Sequence, residues 1–388
     1  MVAVRWAALM TRPLRLLTLG HSYVVGTNRR LAHAIAQAGA GEWEVTVAAP
    51  KAFPGDLGPI ALEPFPGEMP RLVPVSVHGA GRVHTMRYGR HLRALLREGW
   101  DVVHCWEEPF VLAGAQLAAW TPPEARLVYA TFQNLPKRYP PPFAWAERYA
   151  LRRAAGWVAF GATVHDALRV RRGYEHLPVA VISPGVDTEL FRPEAQAGAR
   201  VRHSLGWRED GPPVIGFLGR FVAEKGLRTL IGALDAAREP WRALIVGGGA
   251  MEGELRAWAA RREDAVRIVT GVPHHDVPAY LNAMDVLCAP SQTTARWMEQ
   301  LGRMLIEAMA CGVAVIGSDS GEIPHVVGDA GMIVAEADEA AWTRAIDRLL
   351  VDAAYRHVLA DAGLRRVGAH FALPVVARRH LDFFQSLL

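Results

Sequence analysis

The sequence predicts an α/β protein made of two doubly wound, Rossmann-like parallel-sheet domains in tandem. Three observations carry this. The chain has 388 residues, more than one ordinary core holds, so two domains are the natural division. Short apolar runs alternate with helical stretches along nearly its whole length, the rhythm of a parallel sheet wrapped on both faces. That rhythm breaks at Ser183-Pro184-Gly185-Val186-Asp187, with Pro193 and Gly198 close behind, and then restarts.

In the first half, strands are expected at 14–19, 43–50, 101–106, 126–131, 157–160 and 179–183, with a broken strand at 71–77. Helices are expected at about 26–37, 85–97, 109–119, 142–154 and 163–171. Gly20-His21-Ser22-Tyr23 and the Pro- and Gly-rich segment 53–70 read as loops. A linker falls at about 184–196. Strands then follow at 214–219, 242–247, 265–271, 285–290, 313–317 and 331–335, between helices at 225–237, 250–261, 276–283 and 321–327. A further helix begins near Gly302. The last 50 residues read as helical with a break at Pro374. The expected domains are 1–183 and 184–370, with 371–388 a final helix.

Half the residues are apolar, and no apolar run reaches the length that spans a bilayer. The opening MVAVRWAALMTRP lacks a small-residue cleavage site and reads as a frayed extension rather than a signal peptide. Cys105, Cys288 and Cys311 sit in apolar contexts without metal spacing, as buried thiols in a reducing, cytoplasmic compartment do. Charge is uneven. Residues 1–195 carry 22 Lys+Arg against 16 Asp+Glu, and residues 196–388 carry 21 against 23. Arg87, Arg90, Arg93 and Arg97 could share one helix, and Arg152, Arg153, Arg169, Arg171 and Arg172 add to the excess. An ordinary solvated surface accounts for this. So does attraction to an anionic membrane face or an anionic acceptor. Nucleic acid does not fit, because no recognition motif is present and basic and aromatic residues rarely interleave.

Ligands of open parallel sheets bind beyond the carboxyl ends of the strands, and two such domains leave a cleft between them. In the second domain those ends carry Gly219-Arg220-Phe221 before Lys225-Gly226, the cluster Gly247-Gly248-Gly249, Gly271-Val272, and the stretch 291–321. Arg220 and Lys225 can converge on one anion. Glu299 precedes a helix start at Leu301-Gly302-Arg303, itself a ready anion site. Glu307 lies among Met304, Leu305, Ile306, Ala308, Met309 and Ala310, where a carboxylate is costly unless it has a partner. It is either a structural ion-pair member or a ligand for hydroxyl groups. Two cations, a helix N-terminus and two acids suit a nucleotide-diphosphate sugar, with the cations neutralising the diphosphate as it leaves and the carboxylates accepting from sugar hydroxyls. No Asp-x-Asp is present, and the adjacent His274-His275-Asp276 reads as a solvated turn, so no metal site is expected.

These motifs resemble the retaining glycosyltransferases of family 4, whose GT-B architecture sets two Rossmann-like domains across a cleft. The resemblance rests on Ser183-Pro184-Gly185-Val186-Asp187, on Gly219-Arg220-Phe221 with Glu224-Lys225-Gly226, on Pro290-Ser291, and above all on Glu299-x7-Glu307 followed by AMACGVAVIGSDSGEIP. It implies that Glu299 lies against the donor sugar and that Glu307 holds the ribose hydroxyls. Arg220 and Lys225 would grip the diphosphate, with Gly219, Val272, Gly302, Arg303 and Met304 lining the donor site. It also implies that 371–388 crosses back to the first domain. Where many relatives place a His against the donor sugar, this chain reads Thr131-Phe132-Gln133-Asn134. Gln133 can donate and accept but carries no proton charge. Where the family has two adjacent glycines, only Gly26 stands before Thr27-Asn28. Gly26, Asn28 and His104 are the acceptor-side candidates, although His104 reads equally as a core histidine.

The expected function is transfer of a sugar from a nucleotide-diphosphate donor to a hydroxyl acceptor, with retention and without a metal or cofactor. Peripheral membrane contact would come through the basic first domain. A nucleotide-sugar epimerase and a non-catalytic nucleotide-sugar-binding subunit are the alternatives.

Overall fold

A computed structural model describes residues 12–55, 58–208, 210–262 and 264–388; the first eleven residues, which the sequence suggests are an extension, lie outside these. The chain forms two compact units. One runs to Gly185 and takes back Leu373–Leu388, and the other is Val186–Ala372.

The first unit contains β1 (Leu14–Leu19), β2 (Trp43–Pro50), β3 (Ala52–Gly55), β4 (Gly58–Ala61), β5 (Arg71–Val75), β6 (Val77–His78), β7 (Arg87–Tyr88), β8 (Val102–Cys105), β9 (Arg126–Thr131), β10 (Gly156–Ala159) and β11 (Val179–Val181). Seven of these form one parallel sheet in the order β11-β10-β9-β8-β1-β2-β5. The central strands are apolar on both faces because helices cover both. Leu17, Leu19, Val103, Leu127 and Tyr129 face one core. Their neighbours Leu16, Val102, Val128 and Ala130 face another, which the final helix Leu373–Ser386 closes with Val376, Ala377, Leu381 and Phe384.

Three expectations for this half are corrected. Segment 53–70 is not all loop: β3 and β4 pair as an antiparallel hairpin. The chain beyond β4 is tied down by the buried Arg29, which donates to Glu68 at 2.6 Å and to the carbonyl of Glu63 at 2.5 Å. The arginines at 87–97 do not share a helix. Arg87 lies in β7, paired with His78 of β6, and only Arg93 falls within the short helix His91–Leu95. Gly20-His21-Ser22-Tyr23 is a loop only in part, since His21–Val24 form a turn of 3-10 helix.

The second unit contains β12 (Val214–Arg220), β13 (Arg242–Gly248), β14 (Val266–Thr270), β15 (Val286–Ala289), β16 (Ala314–Ser318) and β17 (Met332–Val334), all parallel, in the order β14-β13-β12-β15-β16-β17. The chain builds outward from β12 to β14, then returns to lay β15 on the other side of β12. The point where strand order reverses lies between β12 and β15. The expected linker runs into a helix that the sequence reading did not include, Ala195–Ser204. The break near the C-terminus comes before Pro374, which sits in the first turn of Leu373–Ser386, a tolerated place for proline. Another break falls at Asp352, whose side chain accepts from Tyr355 N and caps helix Ala353–His370. Among the described residues no helix is long and apolar enough to cross a membrane.

Candidate functional site

The site at the reversal point is built from loops on one edge of the second sheet. Leaving β12, the chain passes Arg220, turns through a 3-10 helix at Ala223–Lys225 and enters helix Leu227–Ala236 through Gly226. Gly226 has φ +69°, and a Cβ there would sit 1.7 Å from the carbonyl oxygen of Pro290. Only glycine lets the β12 loop lie this close to the β15 loop, and that approach brings Lys225 to Glu299.

Lys225 Nζ lies 2.5 Å from Glu299 Oε2, with the two side chains 12% and 9% exposed. The same oxygen accepts from Ser291 Oγ at 2.8 Å, and Oε1 accepts from Gly302 N at 3.3 Å. The Trp297 ring centroid is 5.2 Å from the ammonium, within cation–π reach. Behind Glu299 stands the loop leaving β16. Glu322 N donates to the Glu299 carbonyl at 3.0 Å. Gly321, at φ +56°, has no room for a Cβ, which would fall 2.0 Å from that same carbonyl oxygen. Ser318 donates to the Ser291 carbonyl at 2.6 Å, and Thr293 and Ser320 share a hydroxyl–hydroxyl bond of 2.9 Å. The segment carrying Glu299 is thus fixed from the β12, β15 and β16 loops and by the entrance to helix Arg303–Ala310.

Glu307 lies inside that helix, every residue of which except Arg303 is buried. It is 6% exposed, and among the described residues no hydrogen bond reaches its carboxylate. Burial pushes its pKa up to about 7, with the positive charge of Arg303 pulling the other way. A carboxylate in this setting has acceptor capacity that the protein does not fill. Arg220 is exposed at the end of β12, in register with Gly248. Gly219 is half-buried beside it, Met304 is buried, and half-buried Val272 follows β14 and packs against the core. The structure therefore brings Lys225, Glu299 and Gly302 into contact. Arg303, Met304 and Glu307 lie on the adjoining helix, and Arg220, Gly219 and Val272 on the same sheet edge. Among the described residues no group of three or more His, Cys, Asp or Glu is placed to hold a metal ion.

Gln133, Gly26, Asn28 and His104 belong to the first unit. Both ends of the Gln133 amide are engaged: Nε2 donates to the Leu135 carbonyl at 2.7 Å, and Oε1 accepts from Tyr139 at 3.0 Å. Gly26 opens helix Gly26–Ala38, and Asn28 Nδ2 donates to the Ser22 carbonyl at 2.8 Å. His104 does not present itself to an acceptor. It is 0% exposed and packed against His380, Phe384 and Trp106, and burial together with the nearby His380 holds its pKa well below the usual range. Its strand position was compatible with either face, and the closing helix takes that face.

Sequence reasoning missed Trp297. It also missed a cluster at the carboxyl ends of β1 and β8, where the strand order of the first sheet reverses. There the buried Glu107 accepts from His21 N at 2.7 Å and from Tyr88 at 2.6 Å, and lies 2.8 Å from His21 Nδ1. Burial opposes a charge on His21, but the bond and charge of Glu107 more than offset it and raise its pKa. The acid pair Glu107-Glu108 directly after an apolar strand was the available signal.

Residues 203–366 match the family model for glycosyl transferases group 1, and residues 25–190 match that for glycosyltransferase family 4. A 2-deoxystreptamine glucosyltransferase of Streptomyces kanamyceticus is 31% identical over 271 residues, 67% of this chain and 68% of that protein. A GDP-mannose-dependent alpha-(1-6)-phosphatidylinositol monomannoside mannosyltransferase of Mycolicibacterium smegmatis is 38% identical over 187 residues, 46% of this chain and 47% of its own length. The crystal structure of Anabaena HepE in complex with UDP-glucose superposes with a TM-score of 0.72 at 18% identity, covering 96% of this chain and 100% of that one, a likeness of fold. The chain belongs to the family 4, group 1 glycosyltransferases, and its two parallel-sheet units are those of the GT-B fold.

Proposed function

We propose that this protein transfers a sugar from a nucleotide-diphosphate donor to a hydroxyl acceptor with retention of anomeric configuration, and that the second unit holds the donor. The observation that carries this reading is the buried Glu307, without a hydrogen bond, in the helix that begins beside the Lys225–Glu299 pair at the sheet's reversal point. Glu307 accepts from the ribose hydroxyls. The Lys225 ammonium has three donors, so it can keep Glu299 and still reach a phosphate oxygen. Arg220 adds a second cation at the same edge. Glu299, held by Ser291, Gly302 N and Lys225, faces the donor sugar as an acceptor of hydroxyl bonds.

The reaction breaks the bond between the anomeric carbon and the diphosphate oxygen while the acceptor oxygen bonds to the same face of that carbon. The acceptor's proton passes to the departing diphosphate oxygen, whose charge Lys225 and Arg220 stabilise. No side chain is asked to act as a nucleophile. The relatives' names point to UDP-glucose and GDP-mannose as donors to try first. The three cysteines are free and buried, which fits a reducing, cytoplasmic setting.

The test is a thermal-shift screen of the full chain against these donors, followed by donor turnover and the anomeric configuration of the product. Binding of one donor, weakened by Glu307→Ala, with turnover cut by Lys225→Ala, is expected. Wild-type behaviour in both variants contradicts the site assignment, and an inverted product contradicts retention.

A further inference from the structure

We propose that Trp297 is a positioning residue for Lys225, holding its ammonium where it meets the diphosphate of the donor. This rests on the reading of the second unit as the donor site. Lysine carries its charge on a flexible four-carbon stem, so the groups around the ammonium decide where it sits. Glu299 is one of them, 2.5 Å from Nζ. The Trp297 ring is another, its centroid 5.2 Å from Nζ. An indole face attracts a cation through its quadrupole and so steers the ammonium without consuming an N–H. Glu299 engages one of the three N–H groups, which leaves two for phosphate oxygens.

The local chain brings the ring to this place. Gln292 N donates to the Glu224 carbonyl at 2.8 Å, and its Nε2 donates to Thr229 Oγ1 at 2.6 Å. The loop that carries Trp297 is thereby tied to the residue preceding Lys225. Thr294 then closes a turn. Its N donates to the Trp297 carbonyl at 2.7 Å, and its Oγ1 accepts from Trp297 N at 3.0 Å. Trp297 is half-buried, yet it belongs to none of the hydrophobic cores. Core packing does not account for the ring, whereas the cation beside it does. Arg296, at the exposed tip of the same turn, has no carboxylate partner among the described residues and is the competing source of attraction for an anion.

Calorimetric titration of the full chain with uridine or guanosine mono- and diphosphate, whichever pair binds, tests this. The ratio of diphosphate to monophosphate affinity isolates what the second phosphate adds. Lys225→Met should cut that ratio by at least about tenfold. Trp297→Leu should cut it about three- to tenfold, the size of a partly desolvated cation–π contact, and leave monophosphate affinity unchanged. Trp297→Phe, which keeps an aromatic face, should stay within about twofold of wild type. In the Lys225→Met background Trp297→Leu should have no further effect, a coupling that loss of loop packing alone does not produce. Arg296→Gln should leave the ratio unchanged. If neither pair binds, or if Lys225→Met leaves the ratio intact, the donor-site reading fails and this inference with it. If Lys225→Met lowers the ratio and Trp297→Leu does not, this inference alone fails. It is also overturned if Trp297→Leu weakens the monophosphate equally, which would make the ring a packing element, or if Trp297→Phe is no better than Trp297→Leu. An undiminished effect of Trp297→Leu without Lys225, or an equal loss in Arg296→Gln, would overturn it too.

Discussion

Replacing Lys225 by Met keeps the side-chain stem and deletes the charge that faces Glu299. The two side chains are 12% and 9% exposed and 2.5 Å apart, so the pair is nearly dry. Removing one partner of a fully buried pair costs about 3–5 kcal/mol, because the other charge is left uncompensated. Glu299 keeps Ser291 and Gly302 N as donors, which lowers the expected loss to about 2–3 kcal/mol. For a unit of this size each kcal/mol moves Tm by about 2–4 °C, so the second unit's transition should fall by about 4–12 °C. Glu299→Gln should cost a comparable amount, since it strands the ammonium. The double variant then isolates the pair itself, and denaturant unfolding of all four proteins should give a coupling of about 1.5–3 kcal/mol. A coupling under about 0.5 kcal/mol, the value of an exposed pair, would refute the claim that this contact organises the site.

The same geometry has other measurable consequences. Burial raises the Glu307 pKa to about 7, so the folded state holds the proton more tightly than the unfolded one. Its contribution is full below about pH 4 and is lost as pH rises through about 7. Glu307→Gln should therefore match wild type near pH 4 and exceed it by on the order of 3 kcal/mol near pH 8 in denaturant titrations, while binding donor more weakly. Donor affinity of the wild type, measured calorimetrically, should rise with pH through the same window, because ribose hydroxyls donate best to the ionised carboxylate. Gly321→Ala must place a methyl against the Glu299 carbonyl at φ +56°; a loss of about 2–4 kcal/mol together with donor binding is expected, and a neutral effect on Tm would contradict the packing. In the first unit, burial lowers the His380 pKa to about 4, and burial beside His380 also lowers that of His104. Stability from the neutral His380 ring is present above about pH 6.5 and lost as pH falls toward about 4, so His380→Leu should flatten the acid limb of Tm against pH.

The strands that the sequence defined best were the buried ones. The runs at 14–19, 43–50 and 126–131 coincide with β1, β2 and β9 to the residue, because a strand covered on both faces must be apolar throughout and ends where polarity returns. The hairpin of β3 and β4 was hidden because Pro54, Gly55, Gly58 and Pro59 are turn formers, and these exposed strands bury no alternating face. The helix Ala195–Ser204 was masked by the proline and glycines around it. Glu299 and Lys225 were legible for a different reason: both lie in loops beyond strand ends, where charge serves no core. Their meeting was not legible, since it depends on Gly226 and Gly321 closing three loops onto one another. His104 read equally as a core or an acceptor-side histidine because only the final helix, Leu373–Ser386, decides which side of β8 is covered.

Whether the second unit grips the nucleotide and diphosphate of an activated sugar is decided by a crystal structure of the full chain with UDP-glucose or GDP-mannose, whichever raises its melting temperature. The ribose hydroxyls should lie on the Glu307 carboxylate, with phosphate oxygens within hydrogen-bond reach of Lys225 and Arg220. A nucleotide bound with Glu307 still untouched, or with its diphosphate away from both cations, would contradict the assignment.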